Sequence, residues 1–361
     1  MVSRPKWKII FVLVFNVYIW YYALQNNAFD SLLNWKDSAS DDYALESILK
    51  KKLKVLIVTE ARSGSTFLGD LLQHTGSIYY SFEPLVGIKS DRYLRLIQSI
   101  FKCEFDRIFL QPVFWKIPYL KWNKLLRENL AQSSEYSELQ LFNRSIHQMI
   151  CIQSSSILVK TIRLSLNQAI KILKKSRENM KIIWLVRDPR SIMSSRLQLQ
   201  WCKEMLNCTN STVLCHKIES NIDSLESIED NPRLIQSIRL IRYEDLIEDI
   251  YGSIKELFDY LGISKIPYEW INRHTSKDDI LRNPHSTYRN IRKQKLTKAH
   301  WDKRLTSELI EDIESVCSKV MSQLGFDLLD QASTEDFAEK SPLRTYYPLQ
   351  RFSIQIKKNK D

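Results

Sequence analysis

The sequence predicts an α/β chain: a P-loop-like, doubly wound parallel sheet flanked by helices, preceded by an N-terminal transmembrane helix. Three observations carry this reading. Short, continuous apolar runs alternate with amphipathic segments, as buried parallel strands alternate with helices. A Ser- and Gly-containing turn, Arg62-Ser-Gly-Ser-Thr66, lies between the first strand and the first helix. Near the start, an apolar run from Ile9 to Leu24 follows the basic residues Arg4, Lys6 and Lys8.

That apolar run spans roughly 24 Å as a helix at ~1.5 Å per residue, which suits a thin secretory bilayer. Its basic N-terminal flank puts the N-terminus in the cytosol and the remaining chain in the lumen. No small-x-small cleavage site follows Leu24, which favours an uncleaved anchor over a signal peptide. The expected organisation is a cytosolic tail (1–8), an anchor (9–24), a stem (25–50), a luminal domain (51–330) and a C-terminal tail (331–361).

The elements follow in order. Lys54–Thr59 reads as a strand and Ser65–His74 as a helix. Ile78–Phe82 reads as the second strand. The stretch 91–150 is mixed and partly helical; its aromatics, Trp115 and Trp122 among them, belong to the core or to a substrate wall. Ile157–Lys160 is a strand and Ser165–Lys175 a helix. Lys181–Val186 is a strand and Pro189–Gln200 a helix. Ile238–Tyr243 is a strand, Ile247–Leu261 a helix with Gly262 as its C-cap, and Ser307–Leu324 the last helix. In such sheets ligands bind at the carboxyl ends of the strands.

Composition narrows the class. Charged residues make up 26% and hydrophobic residues 44% of 361 residues, as in a folded globular protein. The formal net charge of +11 is either a solvated basic surface or an attraction for polyanions. Nucleic acid as that polyanion conflicts with a luminal domain. The six cysteines, Cys103, Cys151, Cys202, Cys208, Cys215 and Cys317, permit disulfides in an oxidising lumen. The Cys202-Cys208-Cys215 cluster is the expected place for a local bridge. Zinc is disfavoured, because there is no Cys-x-x-Cys and His216 is the only His nearby. Sequons at Asn143, Asn207 and Asn210 fit luminal exposure.

Two motifs carry chemistry. In Arg62-Ser63-Gly64-Ser65-Thr66, backbone N–H groups, a helix N-terminus and three hydroxyls face an anion, and Gly64 permits its close approach. The alternative is an ordinary Ser-rich cap. The Lys of a Walker A loop is missing, so Arg62 and backbone, without metal, are expected to hold the anion. In Trp184-Leu-Val-Arg187-Asp188-Pro189-Arg190-Ser191-Ile-Met-Ser194-Ser195-Arg196, a buried strand delivers Arg187 to its carboxyl end. Ser195 lies roughly two helical turns further on. Both suit one phosphate; the alternative is a helix start capped by Asp188, with solvated arginines.

Taken together, in this order, the two motifs resemble the paired PAPS-binding motifs of sulfotransferases (PAPS is 3′-phosphoadenosine 5′-phosphosulfate). The nearer resemblance is to the membrane-anchored Golgi carbohydrate 6-O-sulfotransferases that act on GlcNAc, Gal or GalNAc. It covers about 52–326 and includes Tyr80-Ser-Phe-Glu83-Pro-Leu85, Val159-Lys-Thr-Ile-Arg163, Arg242-Tyr-Glu-Asp-Leu246 and Ser286-Thr-Tyr-Arg-Asn290. The resemblance implies that Arg62 to Thr66 hold the 5′-phosphosulfate. It implies that Arg187 and Ser195, within the run Asp188, Pro189, Arg190, Ser191 and Ser194, hold the 3′-phosphate, with Arg289 as a late contact. Tyr243 to Leu246 read as structural.

Soluble sulfotransferases carry Lys-Thr-His where this chain has Lys160-Thr161-Ile162, so that branch's His base is absent. Glu83 is the candidate general base, with an ion pair to a neighbouring Arg or a strand-end cap as the competing role. Lys160 or Arg163 would stabilise charge on the bridging oxygen or bind the acceptor. The implied protein is a type II Golgi membrane enzyme that consumes PAPS, releases 3′,5′-ADP, needs no metal and acts on a glycan or proteoglycan. A homodimer is compatible with it. The rival readings are a P-loop kinase or nucleotidase, which would need the Lys this loop lacks, a type II glycosyltransferase, which when it uses a metal usually presents an Asp-x-Asp triplet absent here, and a non-catalytic glycan-binding protein on the same frame.

Overall fold

A computed structural model describes residues 47–105, 117–132, 137–176, 179–275, 301 and 303–329. The expected anchor, most of the stem, Trp115, Arg289 and the C-terminal tail lie outside them. Within them, no helix is long and apolar enough to cross a membrane.

Five strands form one sheet: β1 (Leu53–Thr59), β2 (Ile78–Phe82), β3 (Ser156–Thr161), β4 (Met180–Val186) and β5 (Ile238–Arg242). Their order is β2-β3-β1-β4-β5, and every pairing is parallel. From central β1 the chain crosses to the edge strand β2, returns to β3 between them, and then crosses to β4 and β5 on the other side, a doubly wound order. β1 is buried along its whole length, because both faces of the sheet are covered. Leu56 and Val58 face one apolar core and Val55 and Ile57 the other, following the two-residue period of a strand. That is why its sequence reads as one continuous apolar run.

Fourteen labelled α-helices accompany the sheet. They are α1 (Ser65–Gln73), α2 (Tyr93–Phe101), α3 (Ile117–Leu120), α4 (Lys124–Ala131), α5 (Arg144–Gln153), α6 (Leu166–Lys175), α7 (Pro189–Arg196), α8 (Gln200–Glu204), α9 (Ser211–Glu226), α10 (Pro232–Ile235), α11 (Tyr243–Glu248), α12 (Ile250–Leu261), α13 (Tyr268–Thr275) and α14 (Ser307–Gln323). Helices α1 and α12 pack on one face of the sheet, and α2, α6, α9 and α14 on the other. Ser165 caps α6 in a capping box with Gln168. Gly262 ends α12 in the left-handed region, φ 68°, as expected.

Several boundaries differ from the sequence reading. The helix expected over Pro189–Gln200 stops at Arg196, whose guanidinium reaches back to the Ala61 and Cys208 carbonyls. The helix expected over Ile247–Leu261 begins at Ile250, because Asp249 caps it by accepting a hydrogen bond from the Gly252 amide, 3.0 Å. Tyr243, read as a strand end, opens α11. Residues 47–51, partly assigned to the stem, form a short helix. Helix α9 was not anticipated. It packs on α14 and is tied to it by the Cys215–Cys317 disulfide. The other bridges are Cys103–Cys151 and the local Cys202–Cys208.

Candidate active site

The carboxyl end of β1 runs into the turn Glu60–Gly64. Thr59 fastens it by donating its hydroxyl to the Leu185 carbonyl on β4, 2.7 Å. Gly64 takes φ 87° and leads directly into α1. A Cβ there would overlap the Tyr243 ring, so only glycine lets the loop sit this close to α11. The first amides of α1 have no intrahelical partner and carry the positive end of the helix dipole. Ser63 is buried, and its hydroxyl has no hydrogen-bond partner among the described residues.

The two sequence motifs meet at this loop. Arg62 donates Nε to Ser195 Oγ, 2.9 Å, and Arg187 donates Nη1 to the Arg62 carbonyl, 2.9 Å. Arg187 also lies 4.7 Å over the Tyr243 ring and 3.9 Å from Glu244 Oε1. Its Nε is buried without a hydrogen bond. Loss of hydration, and then the like charge of Arg187, lower the Arg62 pKa. Two guanidiniums, an orphaned hydroxyl and a helix N-terminus thus converge, and this donor set fits a phosphorylated anion.

Not every residue of the second motif joins them. Arg190 is fully buried. It pairs with Asp188 at 2.8 Å and Glu314 at 2.6 Å and lies 4.3 Å over the Trp301 ring. Asp188 also caps α7 through the Arg190 amide. Pro189 occupies the first turn, and Ser191 and Ser194 are buried within α7. Asp188 and Arg190 are thus engaged with each other, with the start of α7 and with Glu314. Arg289 lies outside the described residues.

Sequence reasoning treated Tyr243 and Glu244 as structural, yet they support the site directly. Glu244 accepts the Asp188 amide, 3.1 Å, and burial raises its pKa to about 7. Arg196 and Glu60 were also missed. Arg196 ties the Ala61 carbonyl, the Glu60 carboxylate and the Cys208 carbonyl together. Each of these contacts joins residues distant in sequence or across a turn, so no local motif announces it.

A second group lies across β1. Glu83 follows β2, with its backbone in the left-handed region at φ 49°, as is Arg62 at φ 78°. A non-glycine residue there is uncommon and strained, and such strain gathers at functional sites. Lys160 on β3 donates to Glu83 Oε1, 2.6 Å; Arg163 donates to Oε2, 2.7 Å, and the Ile162 amide approaches the same oxygen at 3.4 Å. Glu83 and Lys160 are buried, and Arg163 is part-exposed. Burial lowers the Lys160 pKa, Glu83 opposes that shift, and the charges of Arg163 and Arg62 add to it. The Arg62 contribution links this group electrostatically to the anion loop. The ion pair anticipated as the competing role of Glu83 is therefore present, beside the carbonyl end of the same sheet.

The sequons are differently placed. Asn143 caps α5 and Asn210 caps α9 through their side-chain oxygens, and exposed Asn207 sits in the Cys202–Cys208 loop at φ 67°. Among the described residues, no group of three or more His, Cys, Asp or Glu is placed to hold a metal.

The family model described as "Sulfotransferase domain" matches residues 52–325. Carbohydrate sulfotransferase 1 of Danio rerio is 24% identical over 333 residues, covering 76% of this chain and 78% of that protein. The Homo sapiens protein of the same name is 25% identical over 348 residues, covering 81% and 83%. Among solved structures, the sulfotransferase domain from the curacin biosynthetic pathway aligns with a TM-score of 0.47 at 18% identity, covering 78% of this chain and all of that one. With the family model spanning the whole sheet and both candidate groups, the chain belongs to the sulfotransferase domain family.

Proposed function

We propose that this sulfotransferase moves the sulfuryl group of PAPS onto a sugar hydroxyl, the 6-O of GlcNAc, Gal or GalNAc, in a glycan or proteoglycan. The observation that carries the proposal is the meeting of Arg62, Arg187 and Ser195 at the ends of β1 and β4, with Lys160 on neighbouring β3. The carbohydrate-sulfotransferase names of the relatives support the acceptor class.

In this reading Arg62 to Thr66 hold the 5′-phosphosulfate, and Arg187 and Ser195 hold the 3′-phosphate. The acceptor oxygen attacks sulfur in line, and the bond from sulfur to the 5′-phosphate oxygen breaks. The acceptor proton passes to Glu83, and 3′,5′-ADP leaves. Lys160 places positive charge near the departing oxygen. Most of the rate enhancement then comes from positioning and from charge fixed in advance. No electron is transferred and no metal is required. The chain would act in the Golgi lumen, held in the membrane by 9–24.

The test uses the full chain from a secretory host, with radiolabelled PAPS and a panel of desulfated glycans. Wild type should label one glycan class. Arg187→Ala should lose both transfer and 3′,5′-ADP binding. Glu83→Gln should lose transfer and keep binding. A wild type that binds no 3′,5′-ADP would sink the proposal.

A further inference from the structure

A wall of aromatic rings stands beside Glu83, at the outer edge of the sheet. Phe82, the last residue of β2, stacks with Trp122, centroids 5.1 Å apart at 28°, and with Tyr119, 6.0 Å apart at 25°. The Lys160 ammonium lies 4.7 Å over the Phe82 ring. All three rings are half-buried. Phe82 thus joins the other two rings to the Glu83–Lys160 pair, by sequence to Glu83 and by contact to Lys160.

Two of the rings, Phe82 and Tyr119, line a cavity of about 20 Å³ together with Tyr80, Glu83 and Asn123, and Trp122 packs on Phe82 beside it. Asn123 is 3% exposed. Its Oδ1 caps α4 by accepting the Leu126 amide, 3.0 Å. Its Nδ2 is buried and has no hydrogen-bond partner among the described residues, nor has the Tyr80 hydroxyl. Buried donors are seldom left unmade, and an orphaned one calls for an explanation.

We infer that this wall and cavity form the acceptor-sugar subsite. A hexopyranose stacks its C–H face on Trp122 and Tyr119, and one of its oxygens accepts a hydrogen bond from Asn123 Nδ2. The cavity has room for about one water-sized group, so the ring stays on the aromatic faces and only a hydroxyl enters. A flat aromatic acceptor would need an enclosed apolar slot. An open aromatic wall with a polar donor at its foot suits an amphipathic ring instead. Stacking there holds the sugar next to Glu83, at the site of transfer. This inference rests on the sugar-transfer reading above.

The experiment compares full-chain wild type, Trp122→Ala, Trp122→Phe and Asn123→Asp. Asn123→Asp keeps an oxygen that caps α4 and exchanges the amide donor for a carboxylate oxygen, which can only repel an acceptor oxygen. Rates are measured against galactose- and N-acetylglucosamine-terminated oligosaccharides at saturating PAPS, and against PAPS at saturating acceptor, with Tm recorded for each variant. Trp122→Ala should raise the acceptor KM about tenfold, the scale of one lost aromatic contact, with the PAPS KM unchanged. Trp122→Phe should restore most of that loss. Asn123→Asp should raise the acceptor KM with the PAPS KM unchanged, and it carries the test if Trp122→Ala does not fold. Unchanged acceptor KM, or acceptor and PAPS KM rising together, would overturn the subsite while leaving sugar transfer intact. Wild type that binds 3′,5′-ADP yet labels no sugar would overturn sugar transfer and the subsite together.

Discussion

Arg190→Met separates a residue that builds the site from one that touches the nucleotide. Arg190 is fully buried, and its removal leaves the Asp188 and Glu314 carboxylates, 3% and 12% exposed, without their cation. Breaking a buried pair in this way costs about 3–5 kcal/mol. Two contacts survive the change: the residue-190 amide still donates to Asp188, and the Leu329 amide still donates to Glu314. Met also fills much of the space of the Arg stem. The lower end, about 3 kcal/mol, is therefore expected. At ~2–4 °C per kcal/mol for a domain of this size, Tm should fall by roughly 6–12 °C. Differential scanning fluorimetry measures that fall. Titration calorimetry, well below the lowered Tm, should find 3′,5′-ADP affinity within about threefold of wild type, since a threefold change is under 1 kcal/mol. An unchanged Tm with nucleotide binding lost would refute the reasoning and make Arg190 a phosphate ligand.

Three further outcomes are expected. Gly64→Ala meets both the Tyr243 ring and a left-handed backbone at φ 87°, so it should abolish 3′,5′-ADP binding by calorimetry at a stability cost of at least ~1–2 kcal/mol. Glu244, raised to about 7 by burial, ionises near neutrality and then competes for Arg187; 3′,5′-ADP affinity should fall as pH rises through 7, and Glu244→Gln should flatten the profile. Because the folded pKa of Glu244 lies above the ordinary 4.5, the native state holds the extra proton between those values, and its contribution to stability declines as pH rises through that window; denaturant melts of wild type and Glu244→Gln should converge at the acid end. Removing the Cys215–Cys317 bridge, which closes 102 residues, with the paired Ser substitutions should cost about 2–4 kcal/mol, read as a lower denaturation midpoint with no change in nucleotide KM.

The sequence by itself determined the sheet and put the candidate anion loop at its carboxyl end. Strands buried on both faces must be continuously apolar, so β1 and β4 are visible as runs. A loop between strand and helix that holds Gly64 and three hydroxyls is legible because anion binding there uses backbone that adjacent residues supply. The turn at Gly262 was legible for the same local reason. Only the tertiary structure decided which arginine faces the site. Arg187 and Arg190 lie three residues apart in one motif, yet one contacts the Arg62 loop and the other is spent on Glu314, 124 residues away. Likewise the place of Trp122, the pairing of six cysteines and the support of Arg187 by Tyr243 and Glu244 depend on which elements the strand order makes neighbours. Local periodicity records which face of an element is buried; it does not record what that face is buried against.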